Sequence, residues 1–171
     1  HLMFDCLVRE PVDYRRICTV FTEYYLAQST QKETFWGTCA AVDCSKLDDL
    51  SVAVAGELAN HADSLATVDY GSVQQYGAKS FRNFSYDVKD FFSVLGGGTV
   101  SAGLQNALDE AVVARSCIPG DTRFYISVDE TRFCGIGMYI PGRSRAEGWD
   151  EYYRNSISWY QAVGWETVVN N

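Results

Sequence analysis

Imidazole, proline and positive charge are all scarce in this sequence. Of 171 residues, two are histidine, three proline and two methionine, and 14 Lys and Arg stand against 22 Asp and Glu. The formal charge of -8, with no run of Lys or Arg to offset it locally, argues against nucleic acid and against an anionic membrane surface as partners. Long apolar runs are missing as well. Val52-Ala53-Val54-Ala55 is among the longest, far below the roughly 20 residues that a membrane-spanning helix requires, so no membrane span is expected. There is no Cys-x-x-Cys pair, and of Cys6, Cys18, Cys39, Cys44, Cys117 and Cys134 only Cys39 and Cys44 lie close in sequence. With isolated histidines this gives no zinc-type ligand spacing, and neither metal nor cofactor is expected. Six cysteines is an even number, but the chain is too long and too apolar for a disulfide scaffold, so most read as buried thiols.

What is present is apolar and aromatic mass, 47% and 14% of the residues. A chain of this length buries roughly two thirds of the surface its unfolded form exposes, enough for a single α/β domain over residues 1–171 without staples. The opening His1-Leu2-Met3-Phe4-Asp5 has neither a basic leader nor a cleavage site and enters strand-like sequence at once. It reads as a cut or processing boundary, with an N-terminal partner piece that supplies neighbouring strands.

Residues 2–7 are expected to form a short buried strand, followed through Pro11 by a helix on which Val12, Ile17, Val20, Phe21, Tyr24 and Tyr25 recur near helical spacing up to about Gln28. After a small stretch at 38–44, Ser45 and Asp48 suggest a capping box for a helix whose apolar face is Leu47, Leu50, Val54 and Leu58, closed by His61 and Asp63. Tyr70, Val73 and Tyr76 anchor the next loop. A short helix through Tyr86, Val88, Phe91, Phe92 and Leu95 should stop at Gly96-Gly97-Gly98, which lacks the lysine and hydroxyl residue of a phosphate loop. A helix from Thr99 to about Arg115 and a hairpin of 124–128 with 133–140 follow, broken at Pro141-Gly142. The last thirty residues, with Trp149, Tyr152, Tyr153, Ile157, Trp159, Tyr160 and Trp165, are expected to pack over the core as a helical lid. Acidic pairs such as Asp48-Asp49, Asp109-Glu110, Asp129-Glu130 and Asp150-Glu151 read as solvated surface, and Asn83-Phe84-Ser85 matches a glycosylation sequon of low specificity.

Three stretches carry a resemblance. Phe4-Asp5-Cys6-Leu7 with Val12-Asp13 and Tyr24-Tyr25-Leu26-Ala27, then Ser85-Tyr86-Asp87-Val88-Lys89-Asp90-Phe91, then Gly135-Ile136-Gly137-Met138-Tyr139-Ile140-Pro141, in that order and spacing, resemble the C-terminal half of clostripain-family cysteine peptidases. The resemblance covers nearly the whole chain. It implies a caspase-like three-layer α/β/α sandwich, of which this chain is the C-terminal portion. It also implies an exported, extracytoplasmic (periplasmic or secreted) bacterial protein that takes peptide or protein substrates containing Arg or Lys.

Such an enzyme attacks a carbonyl with a thiolate activated by a nearby histidine. Laid on the family pattern without a gap, Asp5 falls on the acidic position that lines the basic-residue pocket, Cys6 on a small or second-cysteine position, and Leu7 on the nucleophile. In that register catalysis is lost and the chain is a peptide- or protein-binding homologue. The alternative restores Cys6 as the nucleophile, with a histidine from an upstream segment. His1 is too close on the same segment, and His61 reads as a helix-end surface residue. Asp5 is open between a partner for guanidinium and a cap for the following turn.

Overall fold

The structure, a computed structural model, describes residues 2–8, 10–29, 37–77, 85–120, 126–143 and 148–169. It opens on a helix, α1 (Leu2–Leu7), where the sequence predicts a strand. A strand needs a neighbouring edge for its N–H and C=O groups, and among the described residues no strand pairs with this segment. Leu-Met-Phe-Asp-Cys-Leu has no β-branched residue to resist helical bonding, so the backbone satisfies itself locally. Next comes α2 (Tyr14–Gln28), whose N-cap is Asp13, accepting a hydrogen bond from Arg16 N at 2.8 Å. Pro11 lies ahead of the helix rather than in its first turn.

The strand β1 (Thr38–Val42) pairs antiparallel with β4 (Val112–Cys117), with Cys39 opposite Ser116 and an irregularity between Ala41 and Val42. Helix α2 lies on this pair, and α1 lies on α2. Thr22 Oγ1, buried on α2, meets Ser116 Oγ of β4 at 2.7 Å. A single turn at Cys44–Lys46 leads into α3 (Leu47–Asn60). The cap here is Asp43, which accepts from Ser45 N and Oγ, and not the expected Ser45–Asp48 box.

A second sheet orders β2 (Gln75–Tyr76), β3 (Ser85–Asp87) and β5 (Gly137–Met138), all antiparallel. Helix α4 (Val88–Leu95) leaves β3 directly and ends at Gly96, with Gly97 and Gly98 at positive φ. Helix α5 (Ala102–Ala111), capped by Ser101, passes without a loop into β4. The helix expected to reach Arg115 therefore stops at Ala111. Val112 and Val113 favour extended backbone, and the edge of β1 supplies their partner.

The expected hairpin also changes. Residues 121–125 lie outside the described residues. Val128 makes only a bridge to Gly120, and 137–138 pairs with β3 instead. The turn itself is present: Asp129 takes hydrogen bonds from Thr131 N and Oγ1 through its carboxylate and from Arg132 N through its carbonyl. Gln74 Oε1 accepts from Asp129 N, and Arg132 reaches Asp90 on α4.

Leu50, Val54 and Leu58 of α3, Phe91 and Phe92 of α4, and Leu104 and Leu108 of α5 form one buried cluster with Met138 and Ile140. The C-terminal helices α6 (Trp149–Ser156), α7 (Ser158–Ala162) and α8 (Trp165–Val169) complete it by burying Tyr153, Tyr160 and Trp165. Trp149 and Tyr152 stay exposed, so the lid is made by one face of these helices. The arrangement is mixed α/β, as the sequence predicts.

Candidate functional site

Between the two sheets runs an open groove of about 380 Å³, bounded by Thr38, Cys39 and Ala40 of β1, by Tyr76 and Ser85 of the second sheet, and by the 133–137 segment. Glycine makes this approach feasible at two points. Gly135 has φ +95°, and a Cβ there would stand 3.0 Å from Val112 Cγ1 and 3.2 Å from Ala40 Cβ. A Cβ on Gly137 would collide with Ser85 Oγ.

Behind the groove sits a buried polar cluster. Asp87 is fully enclosed and accepts from Tyr76 Oη at 2.5 Å, Cys134 N at 2.7 Å and Asp90 N at 3.0 Å. Burial raises the Asp87 carboxyl above the usual carboxylate range, outweighing the hydrogen bonds from Tyr76, Cys134 and Asp90 that pull it down. The Tyr76 phenol is raised by burial and by the neighbouring Asp87 charge, so it stays a donor. The Cys134 thiol, also buried beside Asp87, is pushed up to about 12. One helical turn on, Asp90 pairs with Arg132 and accepts from Gln74 N at 2.6 Å, while the Arg132 guanidinium also donates to Ser72 O. These side chains lock the loops that build one wall of the groove. Sequence reading missed them, although Asp87 and Asp90 stand inside the second of the three family-like stretches and their i, i+3 spacing at a helix start is a capping signal.

Cys39 carries the groove's thiol. Cys18 lies against it from α2, and burial together with contact to Cys39 raises the Cys18 thiol to about 11. No described histidine lines the groove. His61 closes α3, with Nε2 3.4 Å from the buried Glu57 carboxylate, which also takes Ser101 N at 2.9 Å. Glu57 thus ties α3 to the start of α5, and His61 stands at the helix end, as expected.

Asp5, Cys6 and Leu7 lie together on α1. Cys6 is 9% exposed, Leu7 48% exposed, and Asp5 is exposed with no ion pair among the described residues. Successive helical residues are turned by about 100°, so the thiol and the leucine still face different ways. His1 lies outside the described residues, as does Asn83 of the sequon. The acidic pairs are on the surface with one correction: Asp150 is half-buried and accepts from Tyr139 Oη at 2.5 Å and Gly142 N at 2.8 Å, fixing α6 to the strand end. Among the described residues no group of three or more His, Cys, Asp or Glu side chains could hold a metal.

No protein-family model matches the sequence, and no curated protein does. Solved structures do. A cysteine protease of B. fragilis superposes with a TM-score of 0.77 at 17% identity, over 98% of this chain and 71% of that one. The chain has the fold of the C11 cysteine proteases. A secreted C11 cysteine protease from Bacteroides thetaiotaomicron, solved with an irreversible peptide inhibitor, matches with a TM-score of 0.67, and an inactive zymogen C11 protease from Parabacteroides distasonis with 0.66, each at 17% identity. They cover 96% and 94% of this chain, which spans 47% and 46% of theirs. The clostripain-like resemblance and the caspase-like class thus hold at the level of fold. No described helix is long and apolar enough to cross a membrane.

Proposed function

We propose that this chain is a clostripain-like peptidase homologue that binds peptides carrying Arg or Lys without cleaving them. The observation that carries the reading is the side-chain order on α1: the thiol of Cys6 is turned inward, the hydrocarbon of Leu7 outward, and Asp5 is exposed. A buried thiol with no imidazole beside it among the described residues is a poor nucleophile, whereas an exposed carboxylate with no ion pair among those residues is a ready partner for guanidinium. The fold shared with a secreted C11 protease supports an extracytoplasmic bacterial setting.

The second reading is an active Arg- or Lys-specific cysteine endopeptidase, with Cys6 as nucleophile and its base supplied from outside these residues. It is favoured by the presence of a cysteine directly after Asp5 and by the partial span of the related proteases. An electrophilic peptide probe ending in arginine separates the two. The binding reading expects no covalent adduct, together with saturable binding of a non-cleavable Arg peptide that weakens about tenfold in Asp5→Asn, the order of one charge-assisted hydrogen bond. A stoichiometric adduct lost in Cys6→Ala establishes the peptidase instead.

A further inference from the structure

We propose that Cys18 and Cys39 form a reversible disulfide that staples α2 to β1. The two thiols come from separate layers, Cys18 from the helix and Cys39 from the strand, and both are free in the structure.

Strand register and side-chain contacts turn them toward each other. Cross-strand partners share a face, so Cys39 projects to the same side of the sheet as Ser116. That side is covered by α2, because Thr22 Oγ1 meets Ser116 Oγ at 2.7 Å. Gly37, two residues before Cys39, marks the same face: a Cβ there would lie 3.5 Å from Phe21 Cε1. Cys18 stands one helical turn before Thr22, a step of about 5–6 Å between side chains, and the neighbouring strand lies about 4.8 Å away. The helix thus presents a hydroxyl to β4 and a sulfur to β1. What the Cys18 thiol meets there is the thiol of Cys39 and the backbone of Ala41. Cys117 is paired with Thr38 and projects to the other face of the sheet, and Cys44 is exposed beyond the end of β1.

Exposure sets the order of reaction. Cys18 is 1% exposed and Cys39 half-buried, so a small disulfide such as oxidised glutathione reaches Cys39 first. The Cys39 thiolate attacks one sulfur of the oxidant, expels its other half as a thiol and leaves a mixed disulfide. Cys18 gives its proton to solvent, attacks Cys39 Sγ and releases the second half. The two protein thiols lose two electrons and two protons, and the oxidant takes up both as two thiols. Burial and contact with Cys39 hold the Cys18 thiol at about 11, so the second step is slow, and the reduced pair gains no thiolate stabilisation to oppose the bond. The bond joins a strand that borders the groove to the helix on which α1 rests, and with α1 the side chains of Asp5 and Cys6. Its use in a cell rests on the extracytoplasmic setting, where such disulfides persist, whereas its formation does not.

The full chain is equilibrated in glutathione buffers of rising oxidised fraction, quenched with acid and alkylated. Digestion with trypsin and Asp-N then places Cys18 in peptide 17–32, Cys39 in 33–42 and Cys44 in 43–46. The expected product joins 17–32 to 33–42 and is lost on treatment with dithiothreitol. In a Cys44→Ser background, which removes the exposed thiol, the bond should raise the melting temperature by about 5 °C or more, the gain expected from closing a loop of this length. Cys18→Ala should halt at a glutathione adduct on Cys39, and Cys39→Ser should leave Cys18 a free thiol. Should either variant fail to fold, the mapped product of the unaltered chain decides alone. The proposal is overturned by a Cys18 that stays free at every ratio where Cys44 has taken up glutathione, by a Cys39 joined instead to Cys44 or Cys117, or by an oxidised chain that melts no higher than the reduced one.

Discussion

The carboxylate of Asp87 should make this protein's stability respond to pH in the direction opposite to a surface ion pair. Burial is the main reason that the folded-state carboxyl is raised above the ordinary range and holds its proton longer. Below the ordinary carboxylate range both folded and unfolded chains carry the proton, and the contribution of Asp87 is complete. As pH rises the unfolded chain ionises first, because the folded carboxyl holds its proton longer. The contribution therefore declines from about pH 4 upward until the folded group has ionised too. In Asp87→Asn the titration is gone. The stability of the parent minus that of Asp87→Asn should be largest near pH 3–4 and fall toward neutrality.

Geometry fixes the size of the accompanying loss in Asp87→Ala. Tyr76 Oη and Cys134 N both converge on Oδ2, and Asp90 N reaches Oδ1. Alanine leaves these donors in a fully enclosed space, at about 1–3 kcal/mol each when unpaired, so a loss of about 4 kcal/mol is expected even if the phenol finds water. Asparagine keeps one acceptor and presents N–H groups to donors, so at neutral pH it should recover less than half of that. Urea unfolding of the three proteins between pH 3.5 and 8 measures both quantities. A difference between parent and Asp87→Asn that grows with pH would falsify the assignment of burial as the dominant influence on this carboxyl.

Arg132→Ala should cost about 2–3 kcal/mol in urea unfolding, toward the lower side of a buried pair because the guanidinium is partly exposed, and Asp90→Asn in the same background should recover part of it. Thiol labelling of the native protein should begin at exposed Cys44 and reach Cys134 and Cys18 last, since both are buried and their thiols are raised to about 12 and about 11; mass spectrometry of timed samples shows the order. Gly96→Ala should lower the melting temperature by several degrees, because a Cβ there would stand 2.5 Å from Thr99 O and 3.1 Å from Phe92 O. Trp165→Ala, which empties the largest fully buried position, should cost about 3–5 kcal/mol.

Helices bearing a continuous apolar stripe were legible from residue spacing alone. Leu50, Val54 and Leu58 mark α3 because helical period and burial coincide, and the aromatic C-terminus implied its own cover. Strands were harder. Residues 2–7 are apolar enough for either state, and only the presence or absence of a pairing edge decides, which is a fact about the rest of the molecule. The same holds at 112–117, where β1, some seventy residues away in sequence, turns a helical continuation into a strand. At the expected hairpin the turn chemistry at Asp129 was legible, whereas its contacts to Gln74 and Asp90 come from segments distant in sequence, and part of its first arm lies outside the described residues.

The candidate site divides along the same line. A motif can state which residue types stand in order, Asp5 then Cys6 then Leu7, but reactivity depends on which of them meets solvent and what stands opposite. That is set by packing of α1 on α2 and by groups distant in sequence. The cluster around Asp87 shows the converse. Its members come from three separated segments, Gln74–Tyr76, Asp87–Asp90 and Asp129–Cys134, so no local window contains it. Yet it supports one wall of the groove, and a change there should shift Tyr76 and Phe133, whose rings meet edge-on at 5.8 Å across that wall. If the groove takes part in peptide binding, Asp87→Asn should weaken an Arg peptide through geometry alone, leaving the Asp5-dependent charge contribution intact. A double variant with Asp5→Asn tests this: additive losses show that the groove wall and the Asp5 charge act independently, and non-additive losses show that Asp87 acts through the position of Asp5.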